Sequence, residues 1–343
     1  METYRKKIII IINLLLMLLF CTKKNNKDDY SLLAALGLVQ SLGDYWAKIY
    51  KFNPYIVNDP DNIYFIDIAT PENIDPIKTK LILISGWDYN DRSNRSYPTI
   101  EELKNRALNT NWGHLVKTSH FSILLQNYEV FTFDYLTSDP IDINGYRLRI
   151  WLDKLFYGYN NKVIIFAHSM GGLVSRFALY YNERPEYLKA IVTAGTPYHG
   201  SPWASPEYQK DKTLLGSLAA FLTDSQGGRD LAWDNYDNSL TGASNVKLAT
   251  INQKTDRDDL IHALYGEIPG GNTFASDSLQ SFGSLCATLN DFSPHDCIVP
   301  SRSAYLDGHI LADKKNIGNY DHQDINWLTN YVRNYLVNYI NNL

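Results

Sequence analysis

Residues 162–181 read KVIIFAHSMGGLVSRFALYY, and this stretch decides the fold. Val163 to Phe166 are apolar without alternation, the pattern of a strand buried on both faces. Ser169, Met170, Gly171 and Gly172 follow at once. Leu173 to Tyr181 then place apolar side chains at helical spacing. The order is strand, tight turn, helix, with a serine at the turn. Small residues flank it, Ala167 two before and Gly171 two after. A hydroxyl carried on a strained turn needs small residues there, because a bulky side chain at either position would collide with neighbouring backbone. The pattern is the G-x-S-x-G nucleophile turn with Ala in place of the first Gly.

The same rhythm runs through the rest of the chain. Short apolar runs at Leu81–Ser85, Val130–Tyr135, Lys162–His168, Leu188–Ala194 and Asp259–Tyr265 read as strands. Helical patterns near 100–108, 144–157, 171–182 and 323–341 lie between and after them. Apolar strands alternating with helices predict a mostly parallel sheet covered by helices on both faces, an α/β fold. Two stretches break the rhythm. Residues 88–127 are long, polar and aromatic. Residues 200–245 carry Trp203, Leu214, Leu215, Leu218, Phe221, Leu222 and Trp233 among Ser, Gly, Asp and Asn, which reads as a mobile helical cap.

Composition narrows the function classes. The 343 residues carry a net charge of -5, with 45% hydrophobic and 20% charged residues and 25 tyrosines. No basic face accompanies the aromatics, so nothing points to nucleic acid. The N-terminus reads as an export leader: Arg5, Lys6 and Lys7 precede an apolar run from Ile8 to Phe20, broken only by Asn13. That run falls short of the roughly 20 residues of a membrane span. Cys21 follows directly, as the acylated cysteine of a bacterial lipoprotein would, with Leu18 three before it; Phe20 is larger than that position usually holds. An uncleaved signal anchor is the alternative. The organisation expected is a leader at 1–21, a polar tether and a packing helix within 22–50 (Leu32, Leu33, Leu36, Val39, Leu42 and Trp46 at helical spacing), and a catalytic domain over 51–343. In an exported protein Cys286 and Cys297 can pair or remain two free thiols.

A serine hydroxyl attacks only when a base takes its proton, and an acid must orient that base. α/β-Hydrolases place them in the order Ser, acid, His. His322, in YDHQD directly before the last helical pattern, is the expected base, with His309 as the rival. Asp296, in SPHDCIVP, is the expected acid, with Asp291 as the rival. His168 adjoins the nucleophile and faces the wrong way to serve as its base. The oxyanion needs fixed N–H donors, worth roughly 3–4 kcal/mol each. Met170, after the nucleophile, and Trp87, in the loop Ser85-Gly86-Trp87 after the first strand, are the expected donors. The Trp87 side chain can also line an acyl pocket.

Four segments carry a resemblance: AHSMGGLVSRFAL, TAGTPYHGS at 193–201, HDCIVPSRSA at 295–304 and YDHQDINW at 320–327. Together they resemble the bacterial lipase families of the α/β-hydrolase superfamily, in family order and over roughly residues 78–340. The resemblance implies nucleophile Ser169, acid Asp296 and base His322, with Trp87 and Met170 at the oxyanion. The usual His-Gly after the first strand is here Ser85-Gly86. Some of these lipases hold a structural calcium through an Asp two residues after the catalytic His. Asp324 has that position, but no partner carboxylate is evident and it can equally cap the last helix, so no cofactor is expected. The expected activity is carboxylic-ester hydrolysis on a lipidic or small ester by an exported, membrane-tethered enzyme. The alternatives are a phospholipase or acyltransferase of the same fold, or an inactive copy used as a surface adhesin.

Overall fold

In the computed structural model the described residues are 47–53, 65–88, 102, 105–210, 224–268, 286 and 288–343. The leader, the tether and the packing helix up to Trp46 lie outside them. Among the described residues the strands are β1 (Lys48–Asn53), β2 (Phe65–Ile68), β3 (Thr79–Ile84), β4 (Tyr128–Asp134), β5 (Val163–His168), β6 (Leu188–Ala194), β7 (Ile261–Tyr265) and β8 (Asp313–Asn316). They form one sheet in the order β2-β1-β4-β3-β5-β6-β7-β8. The run from β4 to β8 is parallel, while β1 is antiparallel to both of its neighbours.

Each expected strand appears, with ends shifted by a residue or two. The expected helix over 31–50 is corrected at its end, because Lys48 to Tyr50 belong to β1 and pair with β4.

The alternation of the central strands explains the layering. Ile82, Ile84, Phe131, Phe133, Ile165 and Ala167 face one apolar cluster, and Leu81, Leu83, Val130, Ile164 and Phe166 face another. Four longer helices contribute to these layers: α1 (Ser119–Asn127), α2 (Ile141–Phe156), α3 (Met170–Tyr181) and α4 (Asn330–Asn341). α2 and α3 supply Leu148, Leu152, Leu173 and Val174 to the first cluster; α1 and α4 supply Phe121, Leu124, Val332 and Leu336 to the second. With both faces buried, β3 to β6 carry near-continuous apolar runs, with polar residues such as Lys80, Glu129, Asp134 and His168 toward their ends, which is why they are legible.

Of the stretch expected as a mobile cap, residues 200–210 and 224–245 are among those described. Ser201 N–H donates to Leu231 O at 2.8 Å, and Trp233 N–H to Ser205 Oγ at 2.8 Å. Trp203 and Trp233 sit in a buried cluster with Leu289 and Phe292. Trp203 and Trp233 are interior side chains. Leu214, Leu215, Leu218, Phe221 and Leu222 lie outside the described residues. Among the described residues no helix is long and apolar enough to cross a membrane.

Candidate active site

β3 connects onward to β4 on one side of the sheet, and the chain then returns to β5 on the other. In an open parallel sheet, such a reversal leaves a crevice at the carboxyl ends of the strands. Ser169 stands there, one residue past β5 and at the entry to α3. Its backbone has φ 53° and ψ -128°, a region that costs about 1–3 kcal/mol and persists only where the surroundings enforce it. The enforcement is visible. Ser169 N–H donates to Ala194 O at 2.9 Å, and its carbonyl accepts from Gly172 N–H at 3.0 Å and Thr196 Oγ1 at 3.1 Å. The small residue after the turn is needed on steric grounds, since a β-carbon on Gly171 would lie 2.6 Å from Ser85 O.

His322 and Asp296 arrive from the far end of the chain. His322 Nε2 is 2.9 Å from Ser169 Oγ, and His322 Nδ1 is 2.8 Å from Asp296 Oδ2. All three residues are buried. An ionised Asp296 only accepts, so the Nδ1 atom carries the imidazole hydrogen and Nε2 presents its lone pair to the serine O–H. The Asp296 carboxylate is itself fixed, because its Oδ1 accepts from Ile298 N–H at 3.0 Å and Val299 N–H at 2.7 Å. His322 N–H also donates to Asp296 O at 2.9 Å, so the two residues are tied through backbone as well as side chain.

The rivals are elsewhere. His309 Nδ1 pairs with Asp258 Oδ2 at 2.6 Å, within a buried group that includes Arg176 and Tyr180. Asp291 is exposed on a short 3-10 turn, Asn290–Phe292.

The expected oxyanion residues flank the nucleophile. Met170 is the first residue of α3, where an N–H has no acceptor within its own helix and the helix dipole is positive. The loop holding Trp87 touches the serine directly: a β-carbon on Gly86 would lie 3.2 Å from Ser169 Oγ. That loop is anchored by Tyr135 O–H donating to Ser85 O at 2.8 Å and by Asp88 N–H donating to Thr137 Oγ1 at 3.0 Å. The Trp87 side chain packs against the first apolar cluster. Ser85-Gly86 therefore keeps the close approach to the nucleophile, with Tyr135 binding the loop from the neighbouring strand.

Asp324 is buried at the start of an irregular turn, Asp324–Leu328, and its N–H donates to Asp321 Oδ1 at 2.9 Å. It precedes α4 rather than capping it; Thr329 is the cap, accepting from Val332 N–H at 3.2 Å. Among the described residues no group of three or more His, Cys, Asp or Glu side chains is placed to hold a metal ion. Cys286 and Cys297 are joined as a disulfide, which resolves the pairing left open by the sequence.

Two residues at the site were not singled out in advance. Thr196 holds the Ser169 carbonyl, and Gly195 lies against Asp296 and His322. The signal was the GTP of TAGTPYHGS, quoted as a resemblance but without a physical role. His168, not expected to serve as the base, has its Nε2 2.8 Å from His322 O.

The parallel sheet, the serine on a strand-to-helix turn, and the acid and histidine following it in that order define an α/β-hydrolase fold. Residues 154–262 match the family model described as the PGAP1-like alpha/beta domain, a span that contains Ser169 but neither Asp296 nor His322. Among solved structures, the chain is similar to the lipase BlEst2 of Bacillus licheniformis in its propeptide form, at 20% identity and TM-score 0.49, covering 78% of this chain and 52% of that one. The mature form gives 18% identity and TM-score 0.47, covering 78% and 94%. EstA from Clostridium botulinum gives 13% identity and TM-score 0.44, covering 80% and 90%. This chain thus spans about half the length of the propeptide-form lipase. No curated protein matches it in sequence.

Proposed function

We propose that the protein is a serine carboxylic-ester hydrolase acting through Ser169, His322 and Asp296. The observation that carries this reading is the unbroken series from Ser169 Oγ to His322 Nε2 at 2.9 Å and from His322 Nδ1 to Asp296 Oδ2 at 2.8 Å.

The series implies a two-step reaction. Ser169 Oγ attacks the ester carbonyl while its proton passes to His322 Nε2. Asp296 stabilises the imidazolium and keeps Nδ1 as a donor. The tetrahedral oxyanion is received by the N–H groups of Met170 and Trp87. His322 then protonates the leaving alcohol, and an acyl group remains on Ser169. Water, deprotonated by His322, attacks this acyl-enzyme and releases the acid. No step calls for a metal or an organic cofactor.

The substrate class is a lipidic ester. The support is the apolar content of the sequence between Leu214 and Leu222 and the resemblance of the four motifs to lipases. The location is the cell envelope, with the mature chain tethered through Cys21; the support is the basic-apolar-Cys order of residues 5–21.

The test is a panel of p-nitrophenyl esters and phospholipids, together with fluorophosphonate labelling, on wild type and Ser169→Ala. Turnover and labelling that vanish in the variant support the reading. A wild type that neither labels nor hydrolyses would end it, and activity confined to acetyl esters would end the lipidic part. Mass spectrometry of the mature N-terminus decides the tether: an intact Met1 excludes lipidation at Cys21.

A further inference from the structure

The segment that carries His322 continues into an irregular turn rather than a helix. Asn326 has φ -93° and ψ 53°, and Trp327 has φ 63° and ψ 17°. A turn broken in this way leaves carbonyls without intrahelical donors, and buried carbonyls require partners from elsewhere. They are supplied by side chains. His114 Nε2 is 2.6 Å from Asn326 O. Arg333 Nε donates to Trp327 O at 2.7 Å and Arg333 Nη2 to Leu328 O at 2.7 Å. At the head of the segment, His168 Nε2 is 2.8 Å from the carbonyl of His322 itself.

A carbonyl only accepts, so the Nε2 atoms of His114 and His168 must carry hydrogens. The rings of His168 and His322 lie 4.8 Å apart between centroids. The His168 ring also reaches the oxyanion loop, since a β-carbon on Gly86 would lie 3.3 Å from His168 Nδ1. Burial, together with the neighbouring His322 and His114, holds His168 well below the usual histidine range, which keeps a second positive charge away from an imidazolium at His322. His168 belongs to β5, the strand that delivers Ser169. One imidazole therefore links the strand of the nucleophile to the backbone of the base.

We infer that His168 is a positioning residue for His322: its Nε2–H, donated to the His322 carbonyl, sets the height of the base above Ser169, with His114 fixing the same segment four residues further on. The inference rests on the Ser169–His322–Asp296 reading above. It differs from a general packing role because what matters is a neutral donor at the Nε2 position. Glutamine can place an amide N–H at about that reach, leucine fills the space without a donor, and asparagine is polar but too short.

The experiment compares His168→Gln, His168→Leu and His168→Asn with wild type by steady-state ester hydrolysis and by the downfield proton resonance of His322 Nδ1–H in its bond to Asp296. A base displaced by about 1 Å loses on the order of 100-fold in rate. The expected result is a kcat lower by that order with KM unchanged in Leu and Asn, loss or exchange broadening of the downfield resonance in both, and recovery of both readouts in Gln. Should Leu fail to fold, Asn against Gln makes the same comparison. A folded Leu or Asn variant with wild-type kcat and an unchanged resonance overturns the proposal, as does a Gln variant as impaired as Asn. A wild type inert toward esters would sink the proposed function alone, because the resonance still reports whether His168 holds the imidazole in place.

Discussion

A β-carbon on Gly195 would stand 3.0 Å from His322 Nδ1, and equally 3.0 Å from Asp296 Oδ2. Gly195 follows β6 and has φ 59°, where any L side chain costs about 1–3 kcal/mol. The first prediction follows from both facts. Gly195→Ala should lower kcat by about 100-fold, through displacement of the acid–base pair, and also lower the melting temperature. Ester kinetics beside a thermal melt check it. Wild-type turnover in the variant would mean that the acid and base can shift together without loss.

Asp296→Asn tests the tautomer. The turn should survive, because the N–H groups of Ile298 and Val299 both bond to Oδ1, which an amide oxygen can replace. The amide NH2 then faces His322 Nδ1 and donates to it, leaving the hydrogen on Nε2, where it opposes the serine O–H. By analogy with the serine protease variant of this type, kcat should fall about 10⁴-fold with the fold intact. A circular dichroism melt and the rate of fluorophosphonate labelling measure the two halves of that statement.

What could be read in advance was whatever burial writes into composition. β5 and α3 are legible because the strand, buried on both faces, is apolar from Val163 to Ala167 and the helix after it keeps a 3.6-residue period. β8, Asp-Lys-Lys-Asn at the sheet edge, has exposed side chains and no apolar signature. β1 was absorbed into a helix because the spacing of Leu42 and Trp46 runs on into it, and only pairing with β4 makes it a strand. The final helical pattern reads as continuous from 323; at the break the carbonyls of Asn326, Trp327 and Leu328 are taken by side chains from 114 and 333. That Ser169, His322 and Asp296 come together is legible from residue type and order. Thr196 and Gly195 were not, because their role lies in distances across the sheet rather than in their own chemistry.

The disulfide between Cys286 and Cys297 closes a loop with a sequence separation of 11. A cross-link of that size restricts the unfolded chain by about 3 kcal/mol in the chain-entropy account. Cys286→Ala should therefore lower the unfolding free energy by about that amount in urea titration. Cys297 adjoins Asp296, yet the acid keeps its own backbone donors at Ile298 and Val299. Activity per folded molecule should thus stay near wild type, and a stable but inactive variant would show that the acid turn depends on the cross-link.

The histidines give a prediction for stability in acid. Burial pushes His114, His168, His262 and His295 below the ordinary value of 6.5, His168 furthest. Below pH 6.5 the unfolded chain binds protons on these rings that the folded chain refuses, so acid favours unfolding. Their contribution is fully present above about pH 6.5 and is lost as pH falls from there through the folded values. For a buried ring such as His168, the loss runs at about 1.4 kcal/mol per pH unit over that window. The melting temperature should accordingly be insensitive to these groups above neutrality and should decline below about pH 6.5. His168→Gln, which cannot be protonated and keeps the donor to His322, should make that decline shallower without moving its onset. Parallel pH–melting curves for the two proteins would remove His168 from the account of acid lability.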